Sequence, residues 1–389
     1  MNIAQVHTGI HPIPPIGYGA VEKIIWEYKC NLEKMGNKCD VIYLNDINPN
    51  KYDIIHVHLA NLALELYSKN IPYFFTCHDH HAYLYGKKSF CFKQNYDAIK
   101  NSIKSFVPAK YLVDYFDLPN LKYLSHGVNN DIYKNSHINI TDHKLLCLAN
   151  NGFIHDPSED RKGFGLAIES AKRLNLPITI AGPSNNKSYF NLNAFDYDKL
   201  TILYDVSESD LTSLYQNHTI FLHPSIVEAG HPNLTLLEAI GCQLPVVGTF
   251  EENNLLPGLF TVTRNIESII DGITSVIANY EFYKNECLIT KDQRSWIKIT
   301  NELYDFYHKN YLQSMKEKLL SIYRETNIVH REPIEETNTA NITFNFSPKI
   351  EINGNVKKQY KVQFIDDEKN NVIYETSISN NMWAEANQK

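Results

Sequence analysis

Several things are missing from this chain, and each absence narrows what it does. There is no excess of positive charge: 37 Lys and Arg stand against 44 Asp and Glu, a net of −7. A broad electrostatic footprint for nucleic acid is therefore not expected, because neutralising phosphates needs a basic surface. No apolar run approaches the length that crosses a bilayer. The chain is expected to be soluble, with peripheral membrane contact through a local basic patch left open. The first residues, NIAQVH, run straight into a strand-like segment without the apolar core of a signal peptide. Tripeptides such as Asn233-Leu234-Thr235 are accordingly not expected to be glycosylated. The seven cysteines are scattered, odd in number and without Cys-x-x-Cys. That pattern points to reduced thiols in a cytoplasmic-type compartment rather than a disulfide framework.

What is present is enough apolar material for large cores: 389 residues, 43% hydrophobic, or two to three domains by length. The most informative stretch is residues 223–248, HPSIVEAGHPNLTLLEAIGCQLPVVG. A short apolar strand, 219–222, leads into it. A polar loop follows, then Leu234, Leu237 and Ile240 at helical spacing, then Gly241 and a second strand from Leu244. In open α/β sheets ligands bind outside the carboxyl ends of strands, where this junction lies. Gly230 lies in the loop, and the Pro232-Asn233 turn opening a helix at Leu234 presents backbone N–H groups and a positive dipole end to a phosphate. Glu228 and Glu238 flank the loop.

The same alternation runs along the rest of the chain. Strands are expected at 2–7, 39–44, 53–58, 73–77, 105–108 and 121–124. A helix carries Val21, Ile24, Ile25, Tyr28, Leu32 and Met35 on one stripe. The polar run NNDIYKNSHINITDHK reads as a linker, after which the pattern restarts with strands at 144–148, 178–181, 201–204, 219–222, 245–248 and 259–263. Two doubly wound α/β halves facing a central cleft are the expected architecture, with domains at 1–135 and 140–309. A helix at about 310–327 returns to the first. Residues 335–389 alternate apolar and polar as a small antiparallel unit, with 366–371 as a hairpin turn and no closing strand, so this appendage reads as truncated.

Four features at strand-to-helix junctions carry the candidate chemistry. Gly17 and Gly19 allow close backbone approach to a ligand, although the third glycine of the dinucleotide fingerprint is missing, and spacing alone favours an ordinary loop. His78 and Asp79 follow a strand, with His80 and His81 beside them. A metal is disfavoured, since adjacent ligands on a loop are awkward, and a histidine lining a cleft is preferred. Arg161 and Lys162 open a helix where they can clamp a diphosphate, though charge alone would favour a solvated pair. Glu228 and Glu238 suit hydrogen bonding to a sugar nucleotide, with an acid/base pair as the hydrolase alternative.

Taken together and in order, PIGYGAVEKIIWEYKCNLEKMGNKCDVI, DIIHVH, TCHD, SHGVNNDIY, RKGFGLAIESAKRLNLPITIAGP and PSIVEAGHPNLTLLEAIGCQLPVVG resemble the retaining glycosyltransferases of family four, over residues 2–310. The resemblance implies a GT-B fold with the nucleotide sugar held mainly by the second domain. It also implies Lys162 as the diphosphate-binding lysine with Arg161 assisting, and Glu228 on donor sugar hydroxyls. Glu238 would sit on the ribose, Gly17 and Gly19 near the donor phosphate, and His78 as the cleft histidine. Two departures stand out. Glu228 and Glu238 are separated by nine residues instead of seven, which puts Gly230 in between, and Asn150-Asn151-Gly152 replaces an expected arginine, with HDPSED inserted after it.

The implied activity is transfer of a hexose-type sugar from a nucleoside-diphosphate sugar, UDP- or GDP-linked, to a hydroxyl of a glycan, lipid-linked or protein acceptor. It would be retaining and metal-independent, with no resident cofactor, and would serve surface polysaccharide or glycoconjugate synthesis in the cytoplasm or at the inner membrane face. Lys162 is expected at the cleft surface, so that Lys162→Ala lowers turnover far more than stability. A nucleotide-sugar epimerase of similar architecture and a non-catalytic glycan- or nucleotide-binding subunit that pairs with an active transferase are the alternatives.

Overall fold

The structure is a computed structural model of the chain. It describes all residues except 8, 10, 16–18, 44–45, 136–141, 150–159, 183–194, 229, 250–255, 329–341, 350–358, 367–370 and 380–389, and at 315 and from 318 onward it describes the backbone alone. Gly17, the Asn150-Asn151-Gly152 run with most of its insertion, the tip of the tail hairpin and the chain end lie outside the described residues. The chain divides into two compact units, Met1–Leu312 and Gln313–Lys389.

The first unit holds two parallel six-stranded sheets. Its first half runs β1 (Asn2–His7), α1 (Ala20–Lys34), β2 (Lys38–Tyr43), β3 (Ile54–Val57), α2 (Ala60–Ser68), β4 (Phe74–Thr76), α3 (His81–Leu84), α4 (Phe90–Lys100), β5 (Lys104–Val107), α5 (Lys110–Phe116) and β6 (Leu121–Tyr123). The strands lie in the order β2-β1-β3-β4-β5-β6. The inner strands β3 and β4 are short and buried along their length, as strands covered on both faces must be, while the edge strand β2 is only partly covered. The α1 stripe is real: Ile24, Ile25, Tyr28 and Leu32 are buried.

The second half runs β7 (Leu145–Leu148), α6 (Phe164–Arg173), β8 (Ile178–Gly182), β9 (Leu200–Tyr204), α7 (Glu208–Gln216), β10 (Ile220–His223), α8 (Leu234–Gly241), β11 (Val246–Gly248), β12 (Leu259–Thr261), α9 (Ile266–Ala278) and α10 (Tyr280–Gln293). Its order is β12-β11-β10-β7-β8-β9, so strand succession reverses between β7 and β10. Ser207 caps α7 by accepting from the Asp210 N–H at 3.2 Å.

The last helix, α11 (Trp296–Ile328), starts back on the first sheet. Its Trp296, Ile299, Leu303 and Tyr307 pack with Ile3, Phe74 and Phe106, so the return is made by residues from 296 onward. The second unit carries an antiparallel sheet of β13 (Ile342–Lys349), β14 (Gln359–Asp366) and β15 (Asn371–Ser379), with Asp366 opposite Asn371 as a hairpin requires. No helix of the described residues is long and apolar enough to cross a membrane.

Candidate active site

At the reversal between β7 and β10, two loops are pressed together. One leaves β10 through Pro224 and the other enters α6 through Arg161-Lys162-Gly163. Gly163 has φ +76°, and a Cβ there would lie 2.4 Å from the Pro224 carbonyl oxygen, so only glycine fits. The contact is fastened by backbone: the Ile226 N–H donates to the Arg161 carbonyl at 2.9 Å. Arg161 returns a bond from Nη1 to the Val227 carbonyl at 2.8 Å.

This packing gathers Glu228, Lys162 and Arg161 into one buried cluster. Lys162 Nζ donates to Glu228 Oε1, with Arg161 Nη1 at 3.8 Å and His223 Nε2 at 3.7 Å from the same oxygen. Ser225 Oγ also donates to it at 2.6 Å. Burial pushes the Glu228 carboxyl up, but Lys162, His223 and Arg161 outweigh it and hold the group well below the usual carboxylate range. The expectation that Lys162 sits at the cleft surface is corrected here, since it is only 7% exposed and ion-paired. Asp160, just ahead of the pair, accepts from the N–H groups of Phe164 at 2.9 Å and Gly165 at 2.6 Å. Those first-turn donors of α6 are thus already engaged.

Glu238 belongs elsewhere. It lies on α8, and its carboxylate accepts from Lys23 Nζ of α1 at 2.6 Å and from the Tyr215 hydroxyl at 3.0 Å. Lys23 also pairs with Glu208 and donates to the Tyr133 hydroxyl at 2.8 Å. Burial alone would lower the Lys23 ammonium, but Glu238 and Glu208 outweigh it and raise it. The two glutamates are therefore not brought to one point. One joins the cation cluster, and the other ties the two halves together.

The rest of that loop is also structural on one side. Asn233 caps α8, accepting from the Leu236 N–H at 3.0 Å, and its Nδ2 donates to His223 Nε2 at 3.2 Å. Leu234 packs into the first-half cluster with Ile24 and Trp296. Gly230 abuts the first half too, because a Cβ on it would lie 2.4 Å from His126 Cε1. Gly19, at the start of α1, has φ +155°.

The first sheet presents imidazoles at the matching edge. Gln5 Oε1 accepts from His58 Nε2 at 2.7 Å, and His58 Nδ1 lies 3.0 Å from His78 Nε2. With Gln5 so oriented, His58 accepts from His78, and His78 keeps a lone pair on Nδ1, able to take a hydroxyl hydrogen. Burial holds both imidazoles well below their ordinary pKa, hence neutral. His126 stacks on His78 with centroids 6.3 Å apart, and neither of its ring nitrogens has a hydrogen-bond partner. Asp79, His80 and His81 have ligand atoms within 4.8 Å of one another. Asp79 is nonetheless committed to its own surroundings, accepting from the His81 N–H at 2.8 Å and Asn95 Nδ2 at 3.0 Å, with His81 Nδ1 at 2.7 Å.

Residues 158–286 match the model of the family "glycosyl transferases group 1". That segment contains Arg161, Lys162, Glu228 and Glu238. A comparison with curated proteins finds no match. Among solved structures the chain is similar to sucrose-phosphate synthase from Thermosynechococcus elongatus, at TM-score 0.66 and 12% identity over 80% of this chain and 99% of that one. It is similar to HepE from Anabaena in complex with UDP and glucose, at 0.61 and 11% over 79% and 100%. It is also similar to the catalytic domain of starch synthase IV from Arabidopsis thaliana bound to ADP and acarbose, at 0.58 and 11% over 80% and 99%. The two sheets are thus those of a GT-B fold, and the group 1 match lies in its second half.

Sequence reasoning missed Lys23, Ser225, His223, Gln5, His58 and His126. A signal was available for His58 alone: it alternates with His56 in DIIHVH, which puts both on one face at the end of β3.

Proposed function

We propose that this protein is a retaining, metal-independent glycosyltransferase. It would move a hexose-type sugar from a UDP- or GDP-sugar to a hydroxyl of a glycan, lipid-linked or protein acceptor in surface polysaccharide or glycoconjugate synthesis. The donor is substrate, and no resident cofactor is required. The observation that carries the reading is the buried Lys162–Arg161–Glu228 cluster at the strand reversal of the second sheet, inside the segment matched by the group 1 family. HepE in complex with UDP and glucose and starch synthase IV bound to ADP and acarbose support a nucleotide as part of the substrate.

In this reading the donor diphosphate draws the Lys162 ammonium and the Arg161 guanidinium from Glu228, freeing the carboxylate for sugar hydroxyls. The bond between the anomeric carbon and the diphosphate oxygen breaks as the acceptor oxygen bonds from the same face. The departing phosphate oxygen takes the acceptor's proton. His78, neutral with Nδ1 open, orients a hydroxyl beside the reacting centre. Charge stabilisation of the leaving diphosphate supplies most of the rate.

A panel of nucleotide sugars read by thermal shift and by slow donor hydrolysis tests it. Because Lys162 and Glu228 are buried together, the informative variant is Lys162→Met with Glu228→Gln, which removes both charges and leaves neither alone. One donor should raise the melting temperature of the wild type and fail to do so in that variant. Absence of any donor hit sinks the reading. The engaged Glu238 favours a second one, a donor-binding subunit without activity, which predicts a thermal shift with donor never hydrolysed or transferred.

A further inference from the structure

Of the large hydrophobic side chains exposed among the described residues, Tyr83, Leu84, Tyr85 and Phe90 fall within eight consecutive positions. Scattered exposure needs no explanation, but a local cluster does. Lys87 and Lys88 lie in the same stretch and Lys93 one turn on, all exposed. These lysines line a concavity of about 500 Å³ with Phe90, Phe92 and Tyr96. Its one carboxylate, Asp97, is paired with Lys93 at 2.8 Å. In a chain of net charge −7 this is a local reversal of sign.

The concavity does not stand alone. Phe92 meets Tyr115 at 5.5 Å between centroids, Tyr115 meets Tyr83 at 5.0 Å, and Tyr83 meets Tyr111 at 4.8 Å, each edge to face. Lys87 lies over Tyr115 at 5.0 Å. Tyr111 closes the line: its hydroxyl donates to the Glu228 carbonyl at 2.7 Å and its ring meets His231 at 5.5 Å. A band of rings therefore runs from the backbone of the site carboxylate out to a lysine-edged hollow.

We infer that this band is the acceptor track of the transferase, and that the acceptor is an extended glycan bearing phosphate or carboxylate groups. The inference rests on the glycosyl-transfer reading above. The apolar C–H faces of successive sugars lie on Tyr111, Tyr83 and Tyr115, while the anionic groups reach Lys87, Lys88 and Lys93. A neutral glycan makes no use of the positive charge that Lys87 and Lys88 bring to the hollow, and a single sugar does not span the band. An anionic bilayer also attracts lysines beside exposed aromatics. It is the weaker occupant, because Phe92, Tyr115 and Tyr111 of the band are part-buried and lead inward to the Glu228 backbone, which a flat membrane does not reach.

The test is direct binding by calorimetry, with no donor present. The probes are an oligogalacturonate, a phosphate-bearing oligosaccharide, its dephosphorylated counterpart and phosphatidylglycerol vesicles. The wild type should bind at least one acidic oligosaccharide and not the dephosphorylated one. Lys87→Gln with Lys88→Gln and Lys93→Gln should weaken that binding about tenfold, as three exposed charge contacts together imply. Tyr83→Ser should weaken it as well while the melting temperature holds. No binding by either acidic oligosaccharide, or binding unchanged in the lysine variant, overturns the inference. So does lysine-dependent binding to vesicles alone, which assigns the patch to a membrane. Because donor is absent, this outcome and that of the nucleotide-sugar panel are read independently.

Discussion

The two sheets carry opposite chemistry at the same topological place. At and beyond the carboxyl ends of β1, β3 and β4 the first presents His7, His58 and His78, all held neutral by burial. Beyond β7 and β10 the second presents Lys162, Arg161 and Glu228, charged and paired. Both edges face the same physical problem, ionisable groups withdrawn from water. A low-dielectric setting penalises a charge that stands alone. One edge answers by giving up the charge, and the other by matching it. In the proposed function, a donor carrying two phosphates would suit the second edge, and a neutral hydroxyl the first.

The sharpest break in that contrast is Glu228→Ala. It strands Lys162 and Arg161 in a buried site, and about 3–5 kcal/mol of stability should be lost. Urea denaturation measures it, with much of the loss recovered when Lys162→Met is added. Recovery failing would mean that the two side chains act apart.

Acid should next weaken both edges. His126, His223 and His231 are each lowered from 6.5 to about 4, chiefly by burial. Between those values the unfolded chain binds protons that the folded chain refuses, so stability falls as pH drops from about 6.5 to about 4. Each histidine contributes up to about 1.4 kcal/mol per pH unit in that window. Glu228, depressed in the fold, adds stability above its unfolded pKa that is lost at lower pH still. His126→Gln should flatten the slope between pH 6.5 and 4 by one proton's worth, read from urea midpoints at several pH values.

A smaller effect is expected where the halves are tied. Lys23→Met removes the partner shared by Glu238 and Glu208 and should cost about 1–3 kcal/mol, seen as a lower melting temperature. Asn233→Ala should cost least, about 1 kcal/mol for one helix cap, with the cation cluster unaffected. A larger loss there would tie the cap to His223 and thence to Glu228.

The local elements were legible because they depend on neighbours in sequence. The stripe from Val21 to Met35 foretold α1, and the short apolar runs foretold all twelve strands of the two sheets to within a residue or two. Lys162 and Glu228 were legible as candidates by resemblance, and the fold brings them into one ion pair. What could not be read was burial and partnership. Lys162 in a string of letters looks like a surface lysine, and nothing near Glu238 in sequence announces Lys23, 215 residues away.

By itself, then, the sequence determined the alternation of strand and helix, the doubly wound class and the residue types at the strand ends, because 2.0- and 3.6-residue periods and turn chemistry are local properties. Only the tertiary structure decided that strand order reverses between β7 and β10, that Glu228 and Glu238 serve separate clusters, and that a row of tyrosines leads from the site to three lysines. Those facts rest on contacts between residues far apart in the chain, where packing sets which charges meet and which are kept from water.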